Sequence, residues 1–187
     1  MKQFLTLLLV VVVCSFAQSQ ESKWPKLDAS SMDAEYYPAE AAWRNYLSPE
    51  KRNIAPKIKV VYSRPMMKDR KIFGELIKFG NEWRIGANEA TLITFYQPVS
   101  IGGTAVNQGT YSVSVVPNQN EWTFNFSSEM GIWGSANRDK SLTVASATVP
   151  TTLVRDAREA LQVDALSVVP ACYSLLFYDL VRHLLGD

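Results

Sequence analysis

The chain predicts a mostly β protein: an antiparallel β-sandwich, jelly-roll-like, with an N-terminal arm and one short helix. Three observations lead there. From residue 57 onward apolar residues recur with a period of two, the spacing that turns one face of a strand toward a core. Gly, Pro and Asn punctuate these runs at short intervals, as a chain of short antiparallel strands requires. No strand–helix–strand rhythm, internal repeat or low-complexity tract competes with that pattern.

The first element is an export signal. Lys2 supplies a positive start, Phe4 to Val13 is apolar apart from Thr6, and Ser15-Phe16-Ala17 offers small residues where a signal peptidase reads them. That run is too short to span a bilayer, which needs about 20 residues, so no transmembrane segment is expected. Cleavage is expected after Ala17, which places the protein outside the cytoplasm, periplasmic or secreted. Lipid attachment at Cys14 is disfavoured because Val13 stands where a small residue is required. Without Lys2 the 19 basic residues fall to 18, against 18 acidic ones. A net charge of zero gives no long-range attraction to nucleic acid or anionic lipid. Cys172 is then the lone cysteine, so no internal disulfide is possible.

Residues 18–47 read as the arm and short helix. Residues 18–35 are polar and carry Pro25 and several serines. Pro38 suits the first turn of a helix, where its missing N–H is not needed. The stretch Ala39 to Leu47 favours helix, with Trp43 and Leu47 four apart on one face, and Ser48-Pro49 ends it. Residues 48–187 form the β-sandwich domain. Lys57–Tyr62 alternates and stops at Pro65. Trp83-Arg84-Ile85 is a short run closed by Gly86. Thr91–Tyr96 is β-branched and aromatic and stops at Pro98. Val99–Ile101 meets Gly102-Gly103, a tight hairpin signal. Thr110–Val116 alternates and ends at Pro117-Asn118. In Glu121–Phe126, Trp122, Phe124 and Phe126 share one face. Leu142–Ala145 and Leu161–Asp164 are further strand candidates. The apolar residues of 173–185 fit a buried strand pair and a helix nearly equally.

Several of these pieces form a pattern. Tyr62-Ser63-Arg64-Pro65, Arg70, Ile72-Phe73-Gly74, Trp83-Arg84 and Gly86-Ala87-Asn88-Glu89-Ala90-Thr91 are joined by Gly109-Thr110-Tyr111-Ser112, Glu121-Trp122-Thr123 and Trp133-Gly134. The arm adds Leu27-Asp28, Ser31-Met32-Asp33 and Tyr36-Tyr37-Pro38. Together they resemble the bacterial family catalogued as domain of unknown function 2911, over nearly the whole mature chain. The resemblance implies a secreted, mostly β protein with no established substrate, and it favours strands at 173–185. The end of the chain, with Phe177-Tyr178-Asp179, departs from the family's pattern.

The chemistry gathers in residues 62–95, which hold Arg64, Arg70, Arg84, Trp83 and Glu89 beside turn-forming Gly74, Gly80 and Gly86. Pairing of Trp83-Arg84-Ile85 with the strand at Thr91 makes Gly86–Glu89 a loop, with Asn88 suited to a left-handed conformation and Glu89 close to Arg84. Two readings compete. In one, the ions only fix the loop, with Asp69, Glu75 and Glu82 absorbing the surplus positive charge. In the other, Arg64, Arg70, Trp83, Arg84, Asn88 and Glu89 bind a small anion or a sugar, guanidinium forks holding it against the Trp83 wall.

Catalytic alternatives are thin. His183 is the sole histidine, no G-x-S-x-G elbow accompanies it, and it sits in an apolar run. One His and one mature Cys do not make a zinc site. No P-loop or dinucleotide fingerprint occurs, so no cofactor is expected. Cys172 reads as a small buried hydrophobe. Carboxylate pairs, Glu89 with Asp69 or Glu121, would suit a carbohydrate-active hydrolase if they faced one another. Trp24, Tyr36, Tyr37 and Trp43 would suit an envelope protein partner gripping the arm. The leading expectation is a non-enzymatic binding or structural module.

Overall fold

The computed structural model describes residues 26–135, 138–151, 159–161 and 163. The export signal, Trp24, Cys172, His183 and residues 173–185 lie outside them. The architecture is mostly antiparallel β, in two sheets. The larger has six strands in the order β1-β2-β3-β6-β7-β8, and the smaller pairs β4 with β5. The strands are β1 (Met32–Tyr37), β2 (Ile58–Ser63), β3 (Thr91–Phe95), β4 (Val99–Ile101), β5 (Thr104–Val106), β6 (Gly109–Pro117), β7 (Glu121–Ser127) and β8 (Thr143–Pro150). Every neighbouring pair is antiparallel.

Six of these answer to runs read from the sequence, and β5 completes the hairpin that Gly102-Gly103 signals. In β2, Ile58, Val60 and Tyr62 are buried, as are Ile93 and Phe95 of β3, Val113 and Val115 of β6, and Trp122, Phe124 and Phe126 of β7. Register keeps them on one face: Val113 lies opposite Phe126 and Val115 opposite Phe124. Gly102 and Gly103, with φ of +55° and +84°, form the two-residue turn that joins β4 to β5. This hairpin delivers Ile101 and Val106 into the same core. The opposite face of the large sheet carries small polar residues in hydroxyl and amide pairs: Thr94 with Thr110, Thr123 with Thr148, and Ser146 with Asn125.

Three places differ from the sequence reading. Residues 32–37 of the arm are an edge strand, paired residue for residue with β2 from Met32↔Ser63 to Tyr37↔Ile58. The helix is a 3-10 helix, Ala39–Tyr46. Its tighter winding does not bring residues four apart onto one face, so Ala41 is the residue buried while Trp43 stays 66% exposed. Leu161 and Val163 are outside any named strand, although neighbouring Ala160 makes an isolated bridge to Met66. Among the described residues, no helix is long and apolar enough to cross a membrane.

Candidate functional site

The connection from β2 to β3, residues 64–90, is the longest excursion among the described strands, and it folds back over the end of the core. Trp83 anchors it. Its backbone makes both hydrogen bonds of an antiparallel bridge to Val115, each 2.7 Å. Trp83 thus occupies the sheet position beyond the start of β3. Its ring meets Phe73 edge-on at 5.7 Å, and Phe73 lies 4.6 Å from Trp122 between centroids. An aromatic stack therefore ties the excursion to the main core.

The chain then turns sharply. Ile85 is 1% exposed with φ of +58°, a left-handed conformation that a β-branched residue resists. Surrounding bonds impose it: the Trp83 indole N–H donates to Gly86 O (3.1 Å), and the Thr91 hydroxyl donates to Ile85 O (2.6 Å). Ser63 Oγ accepts from Ala87 N at 2.6 Å and donates to Ala87 O at 2.5 Å. Asn88, at φ of +60°, takes the left-handed turn its residue type suits. Thr91 N donates to Arg84 O at 3.2 Å, closing the bend. A second strip of backbone seals it, with Ala90 N donating to Ile132 O and Gly134 N to Asn88 O.

Beside this bend lies a cleft of about 580 Å³, a size that suits a small ligand. Phe73, Ile77, Leu76 and Met66 supply apolar wall, and Arg70, Lys78, Glu82, Arg84, Ser135 and Glu159 supply polar groups. Of the six residues singled out in the sequence, Arg70, Trp83 and Arg84 line the cleft. The other three face elsewhere. Arg64 pairs with Asp33 of β1 at 2.9 Å and donates through Nε to Leu161 O. Asn88 donates from its side chain to Asp28 in the arm at 2.8 Å. Glu89 bridges Trp133 through its backbone, and no ion pair joins it to Arg84 among the described residues. Asp69 and Glu121, its candidate partners for hydrolysis, do not line the cleft.

The arginines that reach the cleft are not equivalent. Arg70 ends a two-residue left-handed turn at Lys68-Asp69 and caps it, donating from Nε to Met67 O and from Nη2 to Met66 O. Arg84 is freer. Its Nε is buried with no hydrogen-bond partner among the described residues. Burial lowers its pKa from the ordinary arginine value, because desolvation penalises the charged form, yet arginine stays protonated. Its backbone N–H donates to Ser135 Oγ at 3.1 Å, leaving the Ser135 hydroxyl proton for the cleft.

Behind the cleft wall lies a polar network that the sequence did not reveal. Glu82 accepts a short hydrogen bond from Ser114 and faces Arg138 Nε at 3.5 Å. Arg138 also donates to Ser112 Oγ at 3.1 Å, and its side chain is only 4% exposed. Ser112 and Ser114 are fully buried on the outward face of β6. Of the other acids in the stretch, Glu75 pairs with exposed Lys71 at 3.5 Å. The described residues contain no cluster of three or more His, Cys, Asp or Glu fit to hold a metal.

A family model described as a protein of unknown function, DUF2911, matches residues 48–174. No curated protein and no solved structure matches the chain.

Proposed function

The chain belongs to the DUF2911 family, and from that premise we propose that it is an extracytoplasmic binding module whose cleft takes a small anion or an acidic sugar with an apolar face. The observation that carries this reading is Arg84. A guanidinium with a desolvated, unpartnered Nε is an expensive thing to leave beside an open cleft. An anion against the Arg84 side chain in the cleft would compensate that poorly solvated charge with charge-assisted hydrogen bonds, while Phe73 and Ile77 cover the apolar part. The Arg70 Nη1 and the Ser135 hydroxyl add donors from two other directions. Lys78 adds positive charge at the rim.

The test is calorimetric titration with phosphate, simple carboxylates and uronic acids, on the wild type and on Arg84→Gln. At least one anion class should bind. The variant should weaken it by about 10- to 100-fold, the value of one or two charged hydrogen bonds, without losing its melting transition. Absence of binding by every anion class would end the proposal. The export half of the proposal rests on the leader at residues 1–17. Its check is the intact mass of the secreted protein, which should correspond to a chain beginning at Gln18; retention of Met1–Ala17 would refute it.

A further inference from the structure

The cleft wall carries a carboxylate as well as a guanidinium, and their arrangement narrows the ligand. Trp83 is locally extended by its bridge to Val115, so Glu82 and Arg84 flank it on the other side of the chain. Their Cα atoms are about 7 Å apart, one strand repeat. They do not pair with each other. Glu82 is instead held from the sheet side: Oε1 accepts from the Ser114 hydroxyl and forms an ion pair with Arg138 Nε at 3.5 Å. Its Oε2 carries no hydrogen bond among the described residues, and its side chain is 20% exposed on the cleft. A carboxylate fixed through one oxygen and presenting the other is a positioned acceptor. Arg84, one repeat on, is a positioned donor of positive charge.

We propose that this cleft recognises an organic acid bearing a hydrogen-bond donor, ammonium or hydroxyl, on the carbon next to its carboxylate. The acid group lies on Arg84, the donor on Glu82, and the apolar side chain on Phe73, Ile77 and Leu76. The inference rests on the anion-binding reading of the same cleft and adds its selectivity. A cleft built for anions alone gains nothing from a carboxylate in its wall, since a bare anion meets repulsion there. A ligand that supplies a donor turns that repulsion into a hydrogen bond. Arg138 acts through Glu82 and is a positioning residue.

Four probes that differ in one group separate the possibilities: 3-phenylpropanoate, 3-phenyllactate, phenylalanine and phenethylamine, titrated calorimetrically against the full-length mature protein. Phenyllactate or phenylalanine should bind at least about tenfold more tightly than phenylpropanoate, and phenethylamine should not bind. The better of the two identifies the donor as hydroxyl or ammonium. Glu82→Gln should bring phenylpropanoate within about twofold of the better probe, a change of ranking that a purely structural Glu82 would not produce. Should that variant not fold, Glu82→Asp, which keeps the charge and withdraws it by one methylene, should shrink the same preference. Equal binding of phenylpropanoate and its substituted forms to the wild type would overturn the inference while leaving the anion site standing. Binding of phosphate alone would do the same, and binding of no anion would overturn both.

Discussion

At Gly86 the bend depends on a missing side chain. With φ of +120°, a Cβ there would stand 2.7 Å from Ser63 Oγ and 3.0 Å from Ser63 O. The serine cannot retreat, because its hydroxyl is clamped to both polar atoms of Ala87. Gly86→Ala should therefore lower stability by about 2–4 kcal/mol, combining backbone strain with overpacking, read as a fall in the urea midpoint. A loss under 0.5 kcal/mol, within the ordinary range for surface changes, would show that the bend is pliable. Tyr62 makes a different prediction. It is 1% exposed, and burial raises its pKa above the ordinary tyrosine value. The Asp33 charge adds to the rise, while the Val163 backbone and Arg64 oppose it. The folded pKa being the higher, the unfolded chain releases this proton first. The contribution is whole below pH about 10 and declines as pH climbs through the folded value. Tyr62→Phe should flatten the loss of stability above pH 10 in denaturant titrations; an unchanged alkaline slope would assign the loss to other groups. The residues also show how far the site was legible. Arginines and a tryptophan near turn glycines pointed to the β2–β3 excursion, where Arg70, Trp83 and Arg84 line the cleft. Which of the candidate residues faced the cleft was settled by partners distant in sequence: Asp33 claimed Arg64, and Asp28 claimed Asn88. Ser135 and Arg138 had no signal of their own, since the long-range contacts to Arg84 and Glu82 give them their roles.

At the level of elements, period-two runs exposed β2, β3, β6, β7 and β8 because each turns alternate apolar residues to the core, and Gly102-Gly103 exposed the β4–β5 hairpin. The strand they hid was β1. Met32-Asp33-Ala34-Glu35-Tyr36 does alternate apolar with charged, but the run is short, continues a polar arm, and as an edge strand stays only partly covered along its length. Trp83-Arg84-Ile85, legible as a short strand, contributes a single bridge. The left-handed Ile85 leaves the sheet at once. The match to DUF2911 begins at residue 48 and so leaves β1 outside. Yet β1 covers β2, anchors Arg64 through Asp33, and brings Tyr37 against the core. A chain starting at Ser48 should accordingly lose several kcal/mol, because an edge strand with its ladder and an ion pair disappear together. Its melting temperature should drop by 10 °C or more. Retention of the full transition would reduce the arm to an accessory, free to serve a partner.

For the whole molecule, the sandwich expected from the sequence takes an uneven form. One broad sheet is faced by a two-stranded hairpin and by the long β2–β3 excursion. That excursion does the work of a layer through Phe73 and Trp83. The cleft therefore opens within the layer that also completes the core, and recognition and folding share side chains. The outward face has a consequence of another kind. Its threonines, serine and asparagine are already bonded in pairs across neighbouring strands. Those bonded pairs sit beside half-buried Val61, Leu92 and Val116, so much of the face's polar chemistry is already met and its apolar part is only partly open. A protein with 19 basic and 18 acidic residues has almost no mutual repulsion to keep its copies apart. Dispersal at high local density then falls to the self-contained chemistry of that face, and dissolved salt has little to screen.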